Sequence, residues 1–136
     1  MHPIFKKAAE ISHAAVVITN DKAVIIYVND AFCELTGYSA KEVIGQNPRI
    51  LQSGEQSSKY YQELWDTLLA GKEWSGEFCN KAKDGTLFWE FATISPCKDT
   101  NGDLYYVGVK TNITKIKELE QKLILLFDKA EKYCTS

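Results

Sequence analysis

The segment GQNPRILQSG, residues 45–54, concentrates side chains that could hold a flat polar ring. Asn47 and Gln52 carry amides that donate and accept hydrogen bonds, and Arg49 carries a planar guanidinium with only donors. Pro48 lies between them and interrupts the regular backbone pattern. The segment is therefore either an ordinary helical turn or one wall of a cofactor pocket.

Three strand-like segments add further polar candidates. Successive residues of a strand point to opposite faces, so residues two apart share a face. By this rule Asn80 shares a face with Trp74, while Glu90 and Lys110 lie on the corresponding faces of their own strands. If these faces are concave, a carboxylate and an ammonium are buried together and must be paired or neutralised. They form a plain ion pair, flank a ligand, or Lys110 reaches to the pocket mouth.

The rest of the composition argues against catalysis and metal binding. The four cysteines are scattered without C-x-x-C spacing, and both histidines lie within the first 13 residues. A formal net charge of −2 gives no electrostatic case for nucleic acid or an anionic membrane. No apolar run approaches the ~20 residues that cross a bilayer. We expect a non-enzymatic cytoplasmic protein with free thiols, no catalytic residues and no metal site.

The elements that must position these residues follow a simple order. The run AAVVITNDKAVIIYV predicts two strands around a turn, and several short helices follow. Helical spacing then predicts a longer helix over KYYQELWDTLLAG. Three strands come last, with turns at KDG and NG. Strands at both ends of a helical middle indicate an α+β fold with an antiparallel sheet.

The C-terminal segment has a heptad pattern. Apolar residues are spaced 3, 4, 3, 4, 3 along it: Ile116, Leu119, Leu123, Leu126, Ala130 and Tyr133. This spacing is typical of a coiled coil between two chains, but a helix folded back on its own sheet remains an alternative over so few heptads. We divide the chain into an N-terminal cap helix (1–12), a central domain (13–114) and a C-terminal signalling helix (115–136).

The opposite face of the predicted sheet is also apolar, through Tyr105, Val107, Val109, Trp89 and Phe91. A sheet face open to water is normally polar, so something is expected to cover this one. The candidate cover is the apolar side of the N-terminal helix, formed by Ile4, Phe5, Ala8 and Ile11. Either the same chain or a second one could provide it, and we expect a homodimer through this helix and this face.

Several motifs in this order resemble a PAS domain over residues 12–114. They are VNDAF followed by LTGY, then GQNPRILQSG, NKAKDGTLFWE and the exit TNIT. The resemblance implies a five-stranded antiparallel sheet with short helices on one face, an N-terminal cap helix and a coiled-coil-like C-terminal helix. The family usually ends its last strand with Asp-Ile-Thr. Here the first of these residues is Asn112, so an ion pair of that Asp would be missing.

Within this family the chain is most similar to the flavin-binding LOV and NifL-type branch. The LOV motif Gly-x-Asn-Cys-Arg-Phe-Leu-Gln reads GQNPRILQ here. The resemblance implies that Asn47, Arg49 and Gln52 hold a flavin ring, ribityl chain and phosphate, and that Asn80 faces the pyrimidine edge. Pro48 replaces the photochemical Cys, so no light-driven adduct is expected.

The resemblance further implies FAD or FMN as cofactor. The predicted cofactor-binding residues are Asn47, Arg49, Gln52, Trp74, Asn80, Glu90 and Lys110. Glu90 and Lys110 replace LOV amides; a similar Glu occurs in redox-sensing relatives, and Lys110 would favour an anionic reduced ring. An empty pocket or another small molecule stays possible, whereas heme lacks a His in the middle helices.

The function implied by the resemblance is sensory. The chain would be a PAS input domain of a bacterial-type signal transduction protein, sensing redox state through a flavin. It would signal through a dimeric C-terminal helix to an output domain or partner protein. The alternative is a ligand-free PAS module that only dimerises and spaces other domains.

Overall fold

The computed structural model describes residues 3–134, apart from the side chains of Pro3, Phe5 and Cys134. Its elements, in chain order, are α1 (Pro3–Ile11), β1 (Ala15–Asn20), β2 (Ile25–Val28), α2 (Asp30–Thr36), α3 (Ala40–Val43), a 3₁₀ turn (Pro48–Leu51), α4 (Ser58–Leu69), β3 (Trp74–Lys81), β4 (Leu87–Lys98), β5 (Leu104–Asn112) and α5 (Thr114–Cys134). No helix within residues 3–134 has the length and apolar character needed to cross a membrane.

The five strands form one antiparallel sheet in the order β2-β1-β5-β4-β3. This confirms the predicted α+β fold with a five-stranded antiparallel sheet. The β3–β4 register runs without a bulge from Trp74 opposite Ile94 to Lys81 opposite Leu87. Because this register is regular, the alternation of faces used in the sequence analysis holds along both strands.

The short helices are bounded by residue types that favour helix ends. Asn29 caps the start of α2, and Gly37 ends that helix with a φ of 77°, a left-handed conformation that glycine adopts without strain. Ser39 and Glu42 form a reciprocal capping box at the start of α3. These caps satisfy backbone groups that the short helices would otherwise leave unpaired.

Asn29 also joins three elements from a buried position. Its Oδ1 accepts hydrogen bonds from the backbone N–H groups of Val16 (2.9 Å) and Phe32 (3.0 Å). Its Nδ2 donates to the carbonyl oxygens of Ala9 (2.8 Å) and Ala14 (3.0 Å). One amide therefore ties the C-terminal part of α1, the start of β1 and the start of α2 together.

Two apolar clusters fill the concave side of the sheet. The first packs β1 and β2 against the short helices and contains Ala15, Val17, Ile25, Val28, Phe32, Val43 and Leu51. The second packs α4 on β3, β4 and β5 and contains Leu64, Leu68, Phe78, Ala92 and Tyr106. Residues of both clusters line the same cavity, which holds the candidate site.

The outer edge of β3 is occupied by polar groups from the preceding segment. Ser53 Oγ donates to the carbonyl oxygen of Cys79 (2.5 Å), and Gln56 Oε1 accepts from the Cys79 N–H (3.3 Å). The Tyr60 hydroxyl donates to the carbonyl oxygen of Glu77 (2.7 Å). Gln52 forms an isolated antiparallel bridge with Asn80.

The convex face of the sheet is left open within one chain. Phe91 and Val109 on this face are 43% and 42% exposed. The N-terminal helix of the same chain does not bury its apolar side on this face, because Ile4 and Ile11 remain 69% and 68% exposed. Phe5, which we expected to share this role, has a side chain outside the described set. Among the described side chains, the same chain therefore does not cover Phe91 and Val109.

Helix α5 contacts the sheet through its first turn. Lys117 lies over the Trp89 ring, 5.1 Å from its centroid, and pairs with Glu77. Beyond this turn the apolar heptad residues are exposed, from 51% at Leu119 to 83% at Tyr133. The alternative in which this helix folds back onto its own sheet is therefore wrong for this stretch.

Candidate functional site

The concave side of the sheet contains a cavity of about 120 Å³. Its walls come from β1, the 3₁₀ turn, α4, and strands β3 to β5. Five of the seven predicted cofactor-binding residues line it: Asn47, Arg49, Gln52, Asn80 and Lys110. Residues far apart in the chain thus meet at one place, although their role there remains a prediction.

Three buried polar side chains meet at the cavity wall formed by the sheet. Glu90 Oε1 accepts a hydrogen bond from Asn80 Nδ2 (2.7 Å) and lies 2.9 Å from Lys110 Nζ. The Glu90 side chain has no exposed surface and that of Lys110 is 8% exposed. Glu90 is not itself a lining residue, so it lies behind Asn80 and Lys110 and connects them. Glu90 and Lys110 therefore form a buried ion pair, one of the three arrangements that strand parity left open.

The second oxygen of this carboxylate is unsatisfied. Glu90 Oε2 is buried and makes no hydrogen bond within the described part of the chain. A buried acceptor without a partner costs about 1–3 kcal/mol, and more when it is charged. Such a group is uncommon in folded proteins and marks a place where a ligand or water donor would be stabilised.

Arg49 and Gln52 lie at the solvent end of the cavity. Both are exposed, whereas Asn47 and Pro48 are half-buried. Asn47 Oδ1 accepts the Arg49 backbone N–H (2.9 Å) and thereby caps the 3₁₀ turn. The segment is thus both a helical turn and one wall of the cavity, because Pro48 starts the turn and the side chains around it line the cavity.

Trp74 does not line the cavity. Its indole packs on Phe78 (5.2 Å between centroids) and edge-on against Tyr60 (5.5 Å). Gly76 makes room for this, because a Cβ there would lie 2.5 Å from both Trp74 and the Tyr60 hydroxyl oxygen. Strand parity gave the correct face for Trp74, but the side chain leans over Gly76 into an aromatic cluster.

An aromatic wall, which the sequence analysis did not assign to the site, completes the cavity. Tyr61, Trp65 and Tyr106 all line it. Burial is the main cause that raises the pKa of the Tyr61 phenol above its usual value, with Tyr60 and Glu90 adding to the shift, so Tyr61 stays neutral. The helical spacing of Tyr61 and Trp65 was the available signal, but such spacing equally describes a core-facing helix.

The sheet floor has a close approach at Gly108. A Cβ at this position would lie 3.0 Å from Val17 Cγ1 and 3.9 Å from Ile94 Cγ1. Val17, Ile94 and Gly108 all line the cavity, so glycine keeps the floor flat. A flat floor beside the amide of Asn80 and the ammonium of Lys110 fits the polar edge of a flavin ring.

The cavity wall is connected to the last helix through Trp89, the neighbour of Glu90. The Trp89 N–H donates to Thr114 Oγ1 (2.9 Å), and the Ile113 N–H donates to the Trp89 carbonyl oxygen (2.8 Å). Asn112 Oδ1 accepts from both the N–H (3.0 Å) and the hydroxyl (2.7 Å) of Thr114. Asn112 therefore shapes the start of α5 through hydrogen bonds.

Metal ligands are not grouped in the described chain. Residues 3–134 contain no cluster of three or more His, Cys, Asp or Glu side chains that could hold an ion.

Comparison with known families decides what this fold is. The model of the PAS domain family matches residues 13–115. The chain belongs to the PAS family. This PAS chain is 38% identical over 124 residues to a nitrogen fixation regulatory protein of Klebsiella pneumoniae, covering 90% of this chain and 25% of that protein.

Two further similarities agree with a LOV/NifL-type branch. A blue-light-activated histidine kinase of Brucella anthropi is 34% identical over 126 residues, which cover 87% of this chain and 26% of the kinase. The structure of an RNA-binding light-oxygen-voltage receptor superposes with a TM-score of 0.79 at 29% identity, covering 92% of this chain and 36% of that one.

This PAS chain spans only about a quarter of the two curated relatives. PAS domains of this kind are sensory signalling domains and are generally not catalytic themselves, even where the full-length protein is a kinase. The activity of any longer protein is therefore a separate question from what this domain does.

Proposed function

We propose that this PAS domain is a flavin-based redox sensor that signals through α5. The observation that supports this best is the convergence of Asn80, Glu90 and Lys110 at one wall of a cavity whose mouth carries Arg49 and Gln52. Amide and carboxylate groups at the inner wall suit the polar edge of a ring. The exposed guanidinium at the mouth suits a phosphate, which it can bind with two parallel hydrogen bonds.

A bound flavin would supply reversible uptake of electrons. The Asn80 amide would bind its polar edge, Lys110 would stabilise negative charge on it by its ammonium group, and Glu90 would hold both side chains from behind the wall. Pro48 has no thiol, and Cys79 lies on a neighbouring position of opposite parity to Asn80. Redox change, and not a light-driven covalent adduct, is therefore the event that we propose for this site.

The change would reach α5 along two adjacent strands. Lys110 precedes the start of α5 by four residues, and Trp89, next to Glu90, holds Ile113 and Thr114 by backbone hydrogen bonds. A new hydrogen-bond pattern at Glu90 alters the position of β4 at Trp89. Because the first turn of α5 is bonded there, its direction changes with the strand.

A second copy of the chain would receive this change. The open convex face at Phe91 and Val109, together with the exposed heptad residues of α5, gives each copy an apolar surface that needs a cover. We propose a homodimer in which α1, the convex face and α5 take part. The dimer would act on a downstream output domain or a cytoplasmic partner protein.

One observation favours the alternative, a ligand-free dimerisation module. The cavity volume of about 120 Å³ lies below the roughly 300 Å³ at which small-molecule pockets usually start. In this alternative the Asn80–Glu90–Lys110 cluster only closes the interior, and the convex face and α5 provide the whole function.

The experiment that separates these functions is spectroscopy of the purified domain. A yellow protein that releases FMN or FAD on denaturation, and loses binding when Asn80→Ala is introduced, supports the sensor. The matched control Asn101→Ala changes an exposed turn amide and leaves binding intact. A folded, colourless dimer that takes up neither FMN nor FAD overturns the flavin proposal and supports the alternative.

A further inference from the structure

The cavity is too small, as its walls stand, for a three-ring ligand. Its volume of about 120 Å³ accommodates water molecules or a small group beside Asn80 and Lys110. Pockets that enclose drug-sized molecules usually have about 300–1,000 Å³. This inference rests on the proposed flavin function, since a ring bound in this cavity requires one wall to move.

Trp65 is the part of the apolar wall that reaches solvent. Its side chain lines the cavity yet is 36% exposed. Its indole stands edge-on to the Tyr106 ring, with 5.5 Å between centroids and an interplanar angle of 86°. Tyr106 is only 4% exposed, so the indole lies between the buried ring and the outside.

The other apolar walls are held more firmly. Leu64 and Leu68, the α4 residues on either side of Trp65 in the same wall, are 5% and 3% exposed and belong to the core cluster. Tyr61 stacks on Phe78 at 5.8 Å with an angle of 19°. Moving any of these would open the core to water, whereas moving the indole of Trp65 breaks one edge-on aromatic contact.

We propose that Trp65 is the gate of the cavity and sets the size of ligand that enters. A flat ring system displaces the indole from Tyr106 and takes its place against that ring. With the indole in place, only water-sized or similarly small molecules are admitted. Residue 65 therefore determines both the rate of ligand entry and the volume of the site.

Nuclear magnetic resonance of fluorotryptophan-labelled protein reports the gate directly. The domain has three tryptophans, and Trp65→Phe assigns the signal of residue 65. We expect FMN added to ligand-free protein to shift the Trp65 signal strongly and the Trp89 signal, on the convex face, much less. FMN entry, followed by stopped-flow absorbance, should be about tenfold faster in Trp65→Ala, as expected for loss of one aromatic contact.

A neighbouring exposed residue provides the matched control. Leu69→Ala lies on the same helix, is 74% exposed and does not line the cavity, so the entry rate should stay unchanged. If FMN binds but neither the Trp65 signal nor the entry rate of Trp65→Ala changes, the gate is refuted and the flavin function stands. If folded wild type and Trp65→Ala both take up no FMN or FAD, the flavin function fails and the gate fails with it.

Discussion

Two buried polar centres of this domain are satisfied to very different degrees. The Oδ1 and Nδ2 atoms of Asn29 each make two hydrogen bonds. The four partners are backbone groups of Ala9, Ala14, Val16 and Phe32. Glu90 is buried even more completely, yet one oxygen carries both contacts and the other carries none.

The contrast distinguishes Asn29, whose hydrogen bonds stabilise the fold, from Glu90, which keeps an acceptor open for a further hydrogen bond. A fully satisfied buried amide makes a rigid joint, because every partner loses a bond if it moves. A carboxylate with an open acceptor is stabilised further by any donor that reaches it. We therefore expect changes at Asn29 to act on stability, and changes at Glu90 to act on both stability and binding.

The largest effect is expected from Asn29→Ala. It removes the acceptor of the Val16 and Phe32 N–H groups, one donor to each of the Ala9 and Ala14 carbonyl oxygens, and the cap of α2, which should lower the free energy of unfolding by about 4 kcal/mol. Urea denaturation followed by circular dichroism measures this. Gln121→Ala, an exposed position on α5, is the control and should lie close to wild type. A loss below about 1 kcal/mol would contradict a structural role for the joint.

Breaking the Glu90–Lys110 pair should rank next. Lys110→Met leaves a buried carboxylate with Asn80 as its only partner, so we expect a loss of about 3 kcal/mol. The double variant Glu90→Gln/Lys110→Met removes both charges and should recover most of that loss. Urea denaturation of the two single variants and the double variant completes the cycle. Additive losses would mean that the two side chains do not interact.

A smaller effect is expected where the sheet meets α5. Thr114→Val removes the acceptor for the Trp89 N–H and the donor to Asn112, which should lower stability by about 1 kcal/mol. The Trp89 amide should then exchange its hydrogen faster, as measured by mass spectrometry. Thr111→Val, on the exposed side of β5, serves as the matched substitution. Equal exchange in both variants would argue against this junction.

The smallest effect is expected from an exposed ion pair. Lys83 lies 2.7 Å from Glu42, and its hydrogen bond is the main reason that the pKa of Glu42 is below its usual value, with the Ser39 backbone adding to it. The Glu42 carboxyl therefore binds its proton less tightly in the folded state than in the unfolded chain. The stability that the Glu42–Lys83 pair contributes is present above the ordinary pKa of Glu, about 4.3, and disappears as the pH falls through the lowered folded value.

Glu42→Gln removes the exposed pair and allows its contribution to be compared with that of the buried Glu90–Lys110 pair. The stability difference from wild type should be small at neutral pH, because exposed ion pairs contribute little, and should vanish in acid. Thermal unfolding at both pH values measures it, with Glu55→Gln, a substitution of another exposed glutamate, as the control. A difference that grows toward acid would reverse the sign argued here.

The sequence predicted those parts of the fold and the site that follow from strand alternation or from hydrogen bonds between residues close in the chain. Asn80, Glu90 and Lys110 could be placed together because strand alternation is strict and the register of β3 to β5 has no bulge. The caps at Asn29 and Ser39 could be predicted because their hydrogen bonds are local in sequence. The other three bonds of Asn29 could not be predicted, since they depend on where the end of α1 and the start of β1 lie in space.

The unpredicted parts depend on side-chain direction. Trp74 leaves the cavity because its rotamer lies over Gly76, and strand parity does not specify a rotamer. Trp65 and Tyr106 form a cavity wall because α4 crosses the sheet at one particular place. The exposure of Ile4 and Ile11 depends on the path of α1, which the apolar spacing of a helix does not determine.

The outer edge of β3 limits how two such domains can associate. Ser53, Gln56 and Tyr60 occupy backbone groups of Glu77 and Cys79 that would otherwise serve as a template for a foreign strand. A neighbouring molecule is thereby kept from lengthening the sheet sideways, and open-ended polymers built strand upon strand are suppressed. At this edge, any contact with another molecule is therefore left to side-chain surfaces instead of backbone pairing.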